Sequence, residues 1–402
     1  MTHFALKDEL LDAQTLRAAG AAAYGGADIG EVLATARLVN GANLDSWYEQ
    51  WTTTGQRVLA LAREQESDGN RESARLAYWR ASTYLRTAGV MLMGTPVDSR
   101  FAESMTAQRQ AFRAGAELMD HSPQVVHIPF EGGSLPGYFF AVDSDPRPRA
   151  TVILIGGYDS TVEESYFFNG AAALARGYNA LMFDGPGQGA ALVDQGLLMR
   201  PDWENVLPPV VDFLLTRPDV DPARLALIGL SLGAYLAPRA ASGEHRLAAC
   251  IADCGAYDLF DAFLDRLPKP LRSGVESDNH LARKTIADML THAAKEPTAG
   301  WSLRRGMAVH GAADPMALVM GMREYTLKGF AERITCPTFV CNAEGDDISA
   351  SAPRLVAALT CEHEFVTFTS AEGAGDHCES GARLLYHARS FGWLDALLRP
   401  TD

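Results

Sequence analysis

The chain contains 402 residues, of which 47% are hydrophobic and 21% charged, a composition typical of a globular protein with one large domain and an accessory lobe. Its formal net charge of −15 excludes the basic surface that a nucleic-acid backbone requires, so we expect no nucleic-acid partner. The acidic start of the chain differs from a signal peptide, and no window offers about 18 uninterrupted apolar residues, so we expect a cytoplasmic protein with no membrane partner.

The first part of the chain, up to about Gln124, has helical periodicity and almost no strand-like runs. The pattern is clear in "NLDSWYEQWTTTGQRVLALAREQE" and in "ESARLAYWRASTYLRTAGVMLM". Asn43 or Asp45 can cap the first of these helices, and Gly69 supplies a break before the second. We therefore predict a helical N-terminal lobe over residues 1–124.

From Val125 onward the pattern changes to strands. "VVHIPF" and "YFFAV" predict an antiparallel hairpin with "EGGSLPG" as its turn. Short apolar strands then alternate with helices, including helices over about 163–175 and 203–215, which predicts a mostly parallel sheet covered on both faces. We expect a catalytic domain of residues 125–256 and 335–402, interrupted by a helical cap insertion over 257–334.

A candidate nucleophile lies in the sequence "GLSLG", residues 229–233. The pattern G-x-S-x-G has mechanical meaning here, because it joins an apolar strand to a helix at a turn too tight for side chains on either side of the serine. Ser231 is the predicted nucleophile. The following helix directs its amide end at the site, so the N–H of Leu232 is a candidate donor to an oxyanion.

A serine hydroxyl needs a histidine base and an acid that orients the histidine. His377 lies in the glycine-rich loop between the last strand and the last helix, where it is the candidate base. Asp346 follows the strand "PTFVCNA" and is the candidate acid, with Asp347 as the alternative. In "LIGGYDST", the glycines let backbone amides face the cavity, and the N–H of Tyr158 is the candidate second oxyanion donor.

"LIGGYDSTVEES", "MFDGPGQG", "GLSLGAY" and "GAGDHC", in this order behind a helical lobe, resemble one branch of the α/β-hydrolase superfamily. That branch includes 2,6-dihydroxypseudooxynicotine hydrolase and the fungal hydrolases that shorten polyketides. The resemblance spans most of the chain. It implies an α/β-hydrolase fold and a serine triad that hydrolyses a carbon–carbon bond next to a ketone, in an aromatic or polyketide-like substrate.

The resemblance also implies an additional carboxylate after the oxyanion loop, where this chain has Asp159, which is one methylene shorter than glutamate. Gly157 and Asp159 are therefore candidate substrate-binding residues, and Asp159 is a candidate to protonate or position the substrate. Asp159 is equally well explained as the cap of a helix that begins near Thr161, and Glu163 and Glu164 as partners of the same helix end.

No feature of the sequence calls for a metal or an organic cofactor. The six cysteines lie at irregular spacings without the paired C-x-x-C clusters that hold zinc, so we expect reduced, mostly structural thiols. We expect a homodimer only because homodimers are the commonest oligomers among soluble proteins.

The triad does not by itself distinguish between three functions. The first is hydrolysis of a carbon–carbon bond. The second is a carboxylesterase, thioesterase, or acyl-transferring or cyclising enzyme. The third, more remote, is a noncatalytic protein that binds a small ligand. A small-molecule ligand is expected in every case.

Overall fold

An eight-stranded sheet organises the part of the chain that the computed structural model describes, residues 3–277 and 279–398. Its strands are β1 Gln124–Phe130, β2 Gly133–Phe140, β3 Arg149–Ile155, β4 Asn179–Phe183, β5 Val220–Leu230, β6 Ala249–Asp253, β7 Thr338–Ala343 and β8 His363–Phe368. They lie in the order β1-β2-β4-β3-β5-β6-β7-β8. All pairs from β4 to β8 are parallel, and β1 and β2 pair antiparallel with their neighbours. The expected mostly parallel sheet is confirmed.

The predicted hairpin is confirmed, but its turn is shorter than expected. Phe130 pairs directly with Gly133, so only Glu131 and Gly132 form the turn. Both have positive φ, at 43° and 82°, as a two-residue turn between twisted strands requires. The segment from Ser134 to Gly137 looked like a turn in the sequence because of its glycine and proline, yet it belongs to β2.

The central strands are buried on both faces. Every residue of β4 and β6 is buried, because helices cover the sheet on each side and form two large apolar clusters. The loops that follow β3, β5, β7 and β8 all leave the same edge of the sheet, since the strands are parallel. That edge is where such a sheet presents a site to ligands.

Helices alone precede the first strand in the described part of the chain: α1 Glu9–Gly20, α2 Ile29–Ala36, α3 Leu44–Ser67, α4 Arg71–Gly89 and α5 Arg100–Glu117. Asn43 caps α3 as expected, by accepting a 2.9 Å hydrogen bond from the N–H of Ser46. The first of these helices, α1, was not predicted. It packs against α2 and α4.

The remaining helices cover the sheet or form the insertion between β6 and β7. Those between β3 and β6 are α6 Val162–Ser165, α7 Ala171–Leu174, α8 Gly189–Gln195, α9 Leu207–Leu215 and α10 Gly233–Ala241, with a π-helical turn, Tyr166–Gly170, joining the first two. The insertion contains α11 Leu259–Leu264, α12 Lys269–Glu276, α13 His280–Ala293, α14 Trp301–His310 and α15 Pro315–Gly321, and α16 Ala352–Ala358 and α17 Arg383–Leu398 follow β7 and β8.

One helix begins later than predicted. The helix expected over 203–215 begins only at Leu207, directly before Pro208 and Pro209. Proline is favoured in a first helical turn, because its missing N–H would have no partner there. Within the described ranges, no helix is long and apolar enough to cross a bilayer.

Candidate active site

Ser231 lies on a strained turn between β5 and α10. Its φ is 60°, in the left-handed region that a residue with a side chain rarely adopts. The turn is possible because the positions two residues before and two residues after the serine are glycines. A Cβ on Gly229 would lie 1.9 Å from the carbonyl oxygen of Gly233, and a Cβ on Gly233 would lie 2.7 Å from that of Ile155. The turn therefore presents the serine hydroxyl above the carboxyl edge of the sheet.

Ser231, His377 and Asp346 form a chain of hydrogen bonds. The Oγ of Ser231 lies 2.8 Å from Nε2 of His377, and Nδ1 of the same ring lies 2.8 Å from Oδ2 of Asp346. His377 comes from the loop after β8 and Asp346 from the turn after β7. The structure thus brings together the three residues that the sequence singled out, whereas the alternative acid, Asp347, is exposed.

The charges of the pair favour an ionised acid beside the imidazole. Burial would raise the pKa of Asp346, but its hydrogen bond to His377 and the charge of that ring outweigh burial and lower the pKa. Burial likewise opposes protonation of His377, but negative charge at Cys378 and Asp346 raises its pKa above the ordinary value. The imidazole is therefore a stronger base than a free histidine.

Two backbone N–H groups near Ser231 are free to donate. Within residues 3–277 and 279–398, neither the N–H of Leu232 nor that of Tyr158 donates to a protein acceptor. The loop that carries Tyr158 lies against the serine, because a Cβ on Gly157 would come within 2.7 Å of the Cβ of Ser231. The N–H of Gly157 is not free, since it donates to Oγ of Ser160 at 2.8 Å.

Asp159 does not cap the helix that follows it. That cap is Thr161, whose side chain accepts a hydrogen bond from the N–H of Glu164. Both oxygens of Asp159 instead accept hydrogen bonds from Nη1 of Arg17 in α1, each at 2.9 Å. Its backbone carbonyl and one carboxylate oxygen also face Arg86 of α4, at 3.0 and 3.4 Å.

The charge state of Asp159 follows from these contacts. Burial would raise its pKa, but the guanidinium groups of Arg17 and Arg86 outweigh burial and hold the pKa well below its usual range. The carboxylate is therefore ionised at neutral pH, where it has no proton to give.

The two glutamates of α6 do not simply interact with the end of their helix. Oε1 of Glu164 accepts a 2.8 Å hydrogen bond from Nε of Arg17. Glu163 accepts hydrogen bonds from the side chains of Tyr138 and Gln108. The sequence missed these contacts because the partners lie far away in the chain.

Two cysteines flank the imidazole, which the sequence also missed. Sγ of Cys254, after β6, lies 3.1 Å from Sγ of Cys378, and each sulfur lies 3.5 Å from a ring nitrogen of His377. All six cysteines are free thiols in the described chain, and all but Cys361 are buried. The position of Cys378 directly after the histidine is the one local signal that could have identified it.

In the part of the chain that the structure describes, two groups of side chains have the right types to hold a metal ion. One consists of Cys254, His377 and Cys378, and the other of Asp253, Cys341 and Glu379. In the second group a cation already faces the ligands, because Nη1 of Arg383 lies 3.0 Å from Oδ2 of Asp253. In the first, the ring nitrogens are bonded to Ser231 and Asp346, so a metal would compete with the hydrogen-bonded chain.

A mostly parallel sheet with a serine on a strained strand-to-helix turn defines the class of α/β hydrolases. The comparisons agree with this assignment: the chain belongs to the alpha/beta hydrolase family, whose model matches residues 152–385. The resemblance inferred from the motifs is confirmed, and the protein is an enzyme of this family.

Similar proteins match over nearly the whole chain. Hydrolase LUC6 of Fusarium sp is 35% identical over 411 residues, covering 94% of each chain. The 20-hydroxy-prefusarin hydrolase FUS2 of Gibberella moniliformis is 34% identical over 414 residues, covering 98% of each chain. The crystal structure of 2,6-dihydroxy-pseudo-oxynicotine hydrolase superposes with a TM-score of 0.75 at 21% identity, covering 94% of this chain and 95% of that one, and so shares the fold.

Proposed function

We propose that the protein is a serine hydrolase that cleaves a carbon–carbon bond next to a ketone in an aromatic or polyketide-like substrate. The observation that carries the assignment as a serine hydrolase is the chain from Ser231 through His377 to Asp346, with both hydrogen bonds at 2.8 Å. This geometry lets the imidazole accept the hydroxyl proton while the carboxylate holds the ring in the required tautomer.

The proposed reaction begins with attack of Ser231 Oγ on the ketone carbon, as Nε2 of His377 takes the hydroxyl proton. The free N–H groups of Leu232 and Tyr158 stabilise the resulting oxyanion. Collapse of this intermediate breaks the carbon–carbon bond, and its electron pair enters a neighbouring carbonyl as an enolate, which His377 protonates. Water activated by the same imidazole then hydrolyses the acyl-enzyme and releases a carboxylic acid.

The choice of substrate class is supported by the relatives and by the cover over the site. A whole-length relative is named a hydrolase of 20-hydroxy-prefusarin. The helices before β1 and the insertion 257–334 meet over the oxyanion loop, where the indole N–H of Trp301 donates to the carbonyl of Val90 at 3.1 Å. We propose that the lobe 1–124 and the cap 257–334 together enclose the substrate over the catalytic domain.

An esterase, thioesterase or acyl-transfer activity is the second candidate, and Asp159 is the observation that favours it. Because Asp159 is ionised and bound to Arg17, it cannot protonate a carbanion. Carbon–carbon cleavage must then rely on the proton of His377 for a strongly basic carbon leaving group, whereas an oxygen or sulfur leaving group is less basic and departs more readily with the same proton.

A substrate panel tests the proposal. Wild-type protein, Ser231→Ala and the exposed-serine control Ser302→Ala are assayed for acid release from aromatic 1,3-diketones, aryl esters and acyl thioesters. We expect the diketones to be cleaved by the wild type and the control, and cleavage to be lost in Ser231→Ala. Turnover of esters alone would transfer the assignment to the second candidate, and turnover retained in Ser231→Ala would refute the covalent mechanism.

A further inference from the structure

A buried group of charged side chains lies beside the oxyanion loop, and it contains more cations than anions. Its cations are Arg17, Arg86 and Arg305, and its anions are Asp159 and Glu164. The first two arginines share both carboxylates: Arg17 bonds each of them, and Arg86 lies 3.4 Å from Asp159 and 3.5 Å from Glu164. The third arginine is left as an excess positive charge.

Arg305, on α14 of the cap insertion, has no polar partner. It is 5% exposed, and within residues 3–277 and 279–398 its guanidinium makes no hydrogen bond and no ion pair. It lies over two aromatic faces, 5.1 Å from the ring centre of Tyr158 and 5.8 Å from that of Trp301. Such contacts attract a cation but use none of its N–H groups.

The neighbouring arginine, Arg304, shows how a guanidinium on the same helix is normally satisfied by hydrogen bonds. Arg304 donates to the backbone carbonyls of Ala294, Glu296 and Pro297, so its side chain is satisfied by protein. Nε of Arg305 is buried and has no acceptor, which is costly because burial removes its water and no protein group replaces the lost hydrogen bond. An anion in the adjoining cavity would supply the acceptors that the protein does not.

A cavity of about 30 Å³ lies against this guanidinium. Its polar lining includes Arg86, Gln108, Asp159, Ser160 and Arg305. Its apolar lining includes Met93, Phe101, Met105, Leu192 and Val193. A space of this size holds about two water-sized groups. It therefore has room for the paired oxygens of one planar anion, with apolar surface around the atoms that carry them.

We propose that Arg305 binds an anionic oxygen pair of the substrate, a carboxylate or the enolate of a 1,3-dicarbonyl. This inference rests on the proposed function and names its substrate class: an apolar, aromatic or polyketide-like chain with an acidic oxygen group on the cap side of the scissile carbonyl. The side chain of Tyr158 links the two subsites, because its ring faces Arg305 while its N–H is one of the proposed oxyanion donors. A planar guanidinium matches either anion with two parallel hydrogen bonds.

The test compares matched substrates on matched variants. The substrates are an aromatic 1,3-diketone with a terminal carboxylate, its primary amide, and a 2,2-dimethyl analogue of the amide that cannot form the enolate between its two carbonyls. The variants are Arg305→Met, Arg305→Lys and Arg266→Met, the last of which removes an exposed arginine of the same insertion. The readout is the ratio of kcat/KM values between substrates, which does not depend on the overall activity of a variant.

We expect the wild type and Arg266→Met to prefer the carboxylate over the amide, and Arg305→Met to lose roughly 100-fold of that preference. Arg305→Lys restores part of it. If the anion is instead the enolate, Arg305→Met abolishes the preference for the enolisable amide over its dimethyl analogue. Equal losses on all three substrates, or no change in either ratio, would overturn the assignment of Arg305.

A second readout needs no turnover. Because the charge of Arg305 is unpaired in the free protein, Arg305→Met should have a Tm equal to or above that of the wild type. An aromatic carboxylate such as 3-phenylpropionate should raise the Tm of the wild type and leave the Tm of Arg305→Met unchanged. A lowered Tm of the free variant would mean that Arg305 has a structural role instead. Failure of the proposed function is distinguishable, since it would leave the wild type inactive on every substrate whatever the Tm values show.

Discussion

Arg383, at the start of α17, does not take part in the proposed reaction, but we expect its replacement to destabilise the loops that form the site. Its side chain is 1% exposed and donates to Oδ2 of Asp253 at 3.0 Å and to the carbonyl of Cys378 at 2.7 Å. It also donates to the carbonyl of Phe168 and to Oδ1 of Asn169. These bonds tie the loop that carries His377 to β6.

The same arginine also supports the serine turn. The backbone carbonyl of Asp253 accepts a 3.0 Å hydrogen bond from the N–H of Ser231. Glu379 lies in the same pocket, with Oε2 3.7 Å from Nη1 of Arg383, and burial and the charge of Asp253 raise its pKa well above the ordinary value. Removal of Arg383 therefore leaves the buried carboxylate of Asp253 without the cation that it faces.

We predict that Arg383→Met lowers the free energy of unfolding by about 3–5 kcal/mol, the cost of breaking a buried ion pair from one side. Urea unfolding followed by circular dichroism measures it. Arg389→Met is the matched control on α17: it removes a half-exposed ion pair with Glu372, which is worth about 1 kcal/mol or less. In the double variant Arg383→Met/Asp253→Asn, the loss should be smaller than the sum of the single losses.

A loss below about 1 kcal/mol in Arg383→Met would refute this reasoning, because it would mean that Asp253 finds other partners or water. Equal destabilisation by Arg383→Met and the Arg389→Met control would do the same.

Three further predictions concern single groups. Asp346→Asn should reduce kcat by about 10⁴-fold with unchanged circular dichroism, since the amide favours the wrong imidazole tautomer, and a loss below tenfold would contradict this. The base must be neutral and the pKa of His377 is raised, so kcat/KM should increase with pH with its midpoint above about 6.5; a midpoint below that value would be inconsistent. Burial beside Glu163 raises the pKa of Asp184 to about 8, so the folded state holds this proton longer and stability should fall as pH rises from about 4 to about 8. Denaturant titrations should show that the free energy of unfolding falls less over this pH range in Asp184→Asn than in the wild type. An equal fall in both proteins would refute this role of Asp184.

The candidate site was predictable to the extent that its signals are local. The turn at Ser231 follows from five consecutive residues, because only glycine fits at positions 229 and 233. His377 and Asp346 follow from the order of strands, since each comes in the loop after a strand of the parallel sheet. Of the two oxyanion N–H candidates, Leu232 follows Ser231 in the same turn, and Tyr158 comes in the loop after β3.

The contacts of Asp159 could not be predicted, because they depend on packing between distant segments. Its main partner, Arg17, lies 142 positions earlier in the chain, in a helix that the sequence pattern did not indicate. Cys254 and Cys378 meet across 124 positions for the same reason. Nothing in the local sequence distinguishes Arg305 from Arg304, although one is unpartnered and the other is satisfied by three carbonyl groups.

The most direct test of the central claim is labelling with a fluorophosphonate, read by intact-protein mass spectrometry and peptide mapping. We predict one phosphonyl adduct per chain on the wild type, located on Ser231, with labelling slowed in the Asp346→Asn variant and absent in Ser231→Ala. An unlabelled wild type, or an adduct that persists when Ser231 is replaced by alanine, would contradict the account.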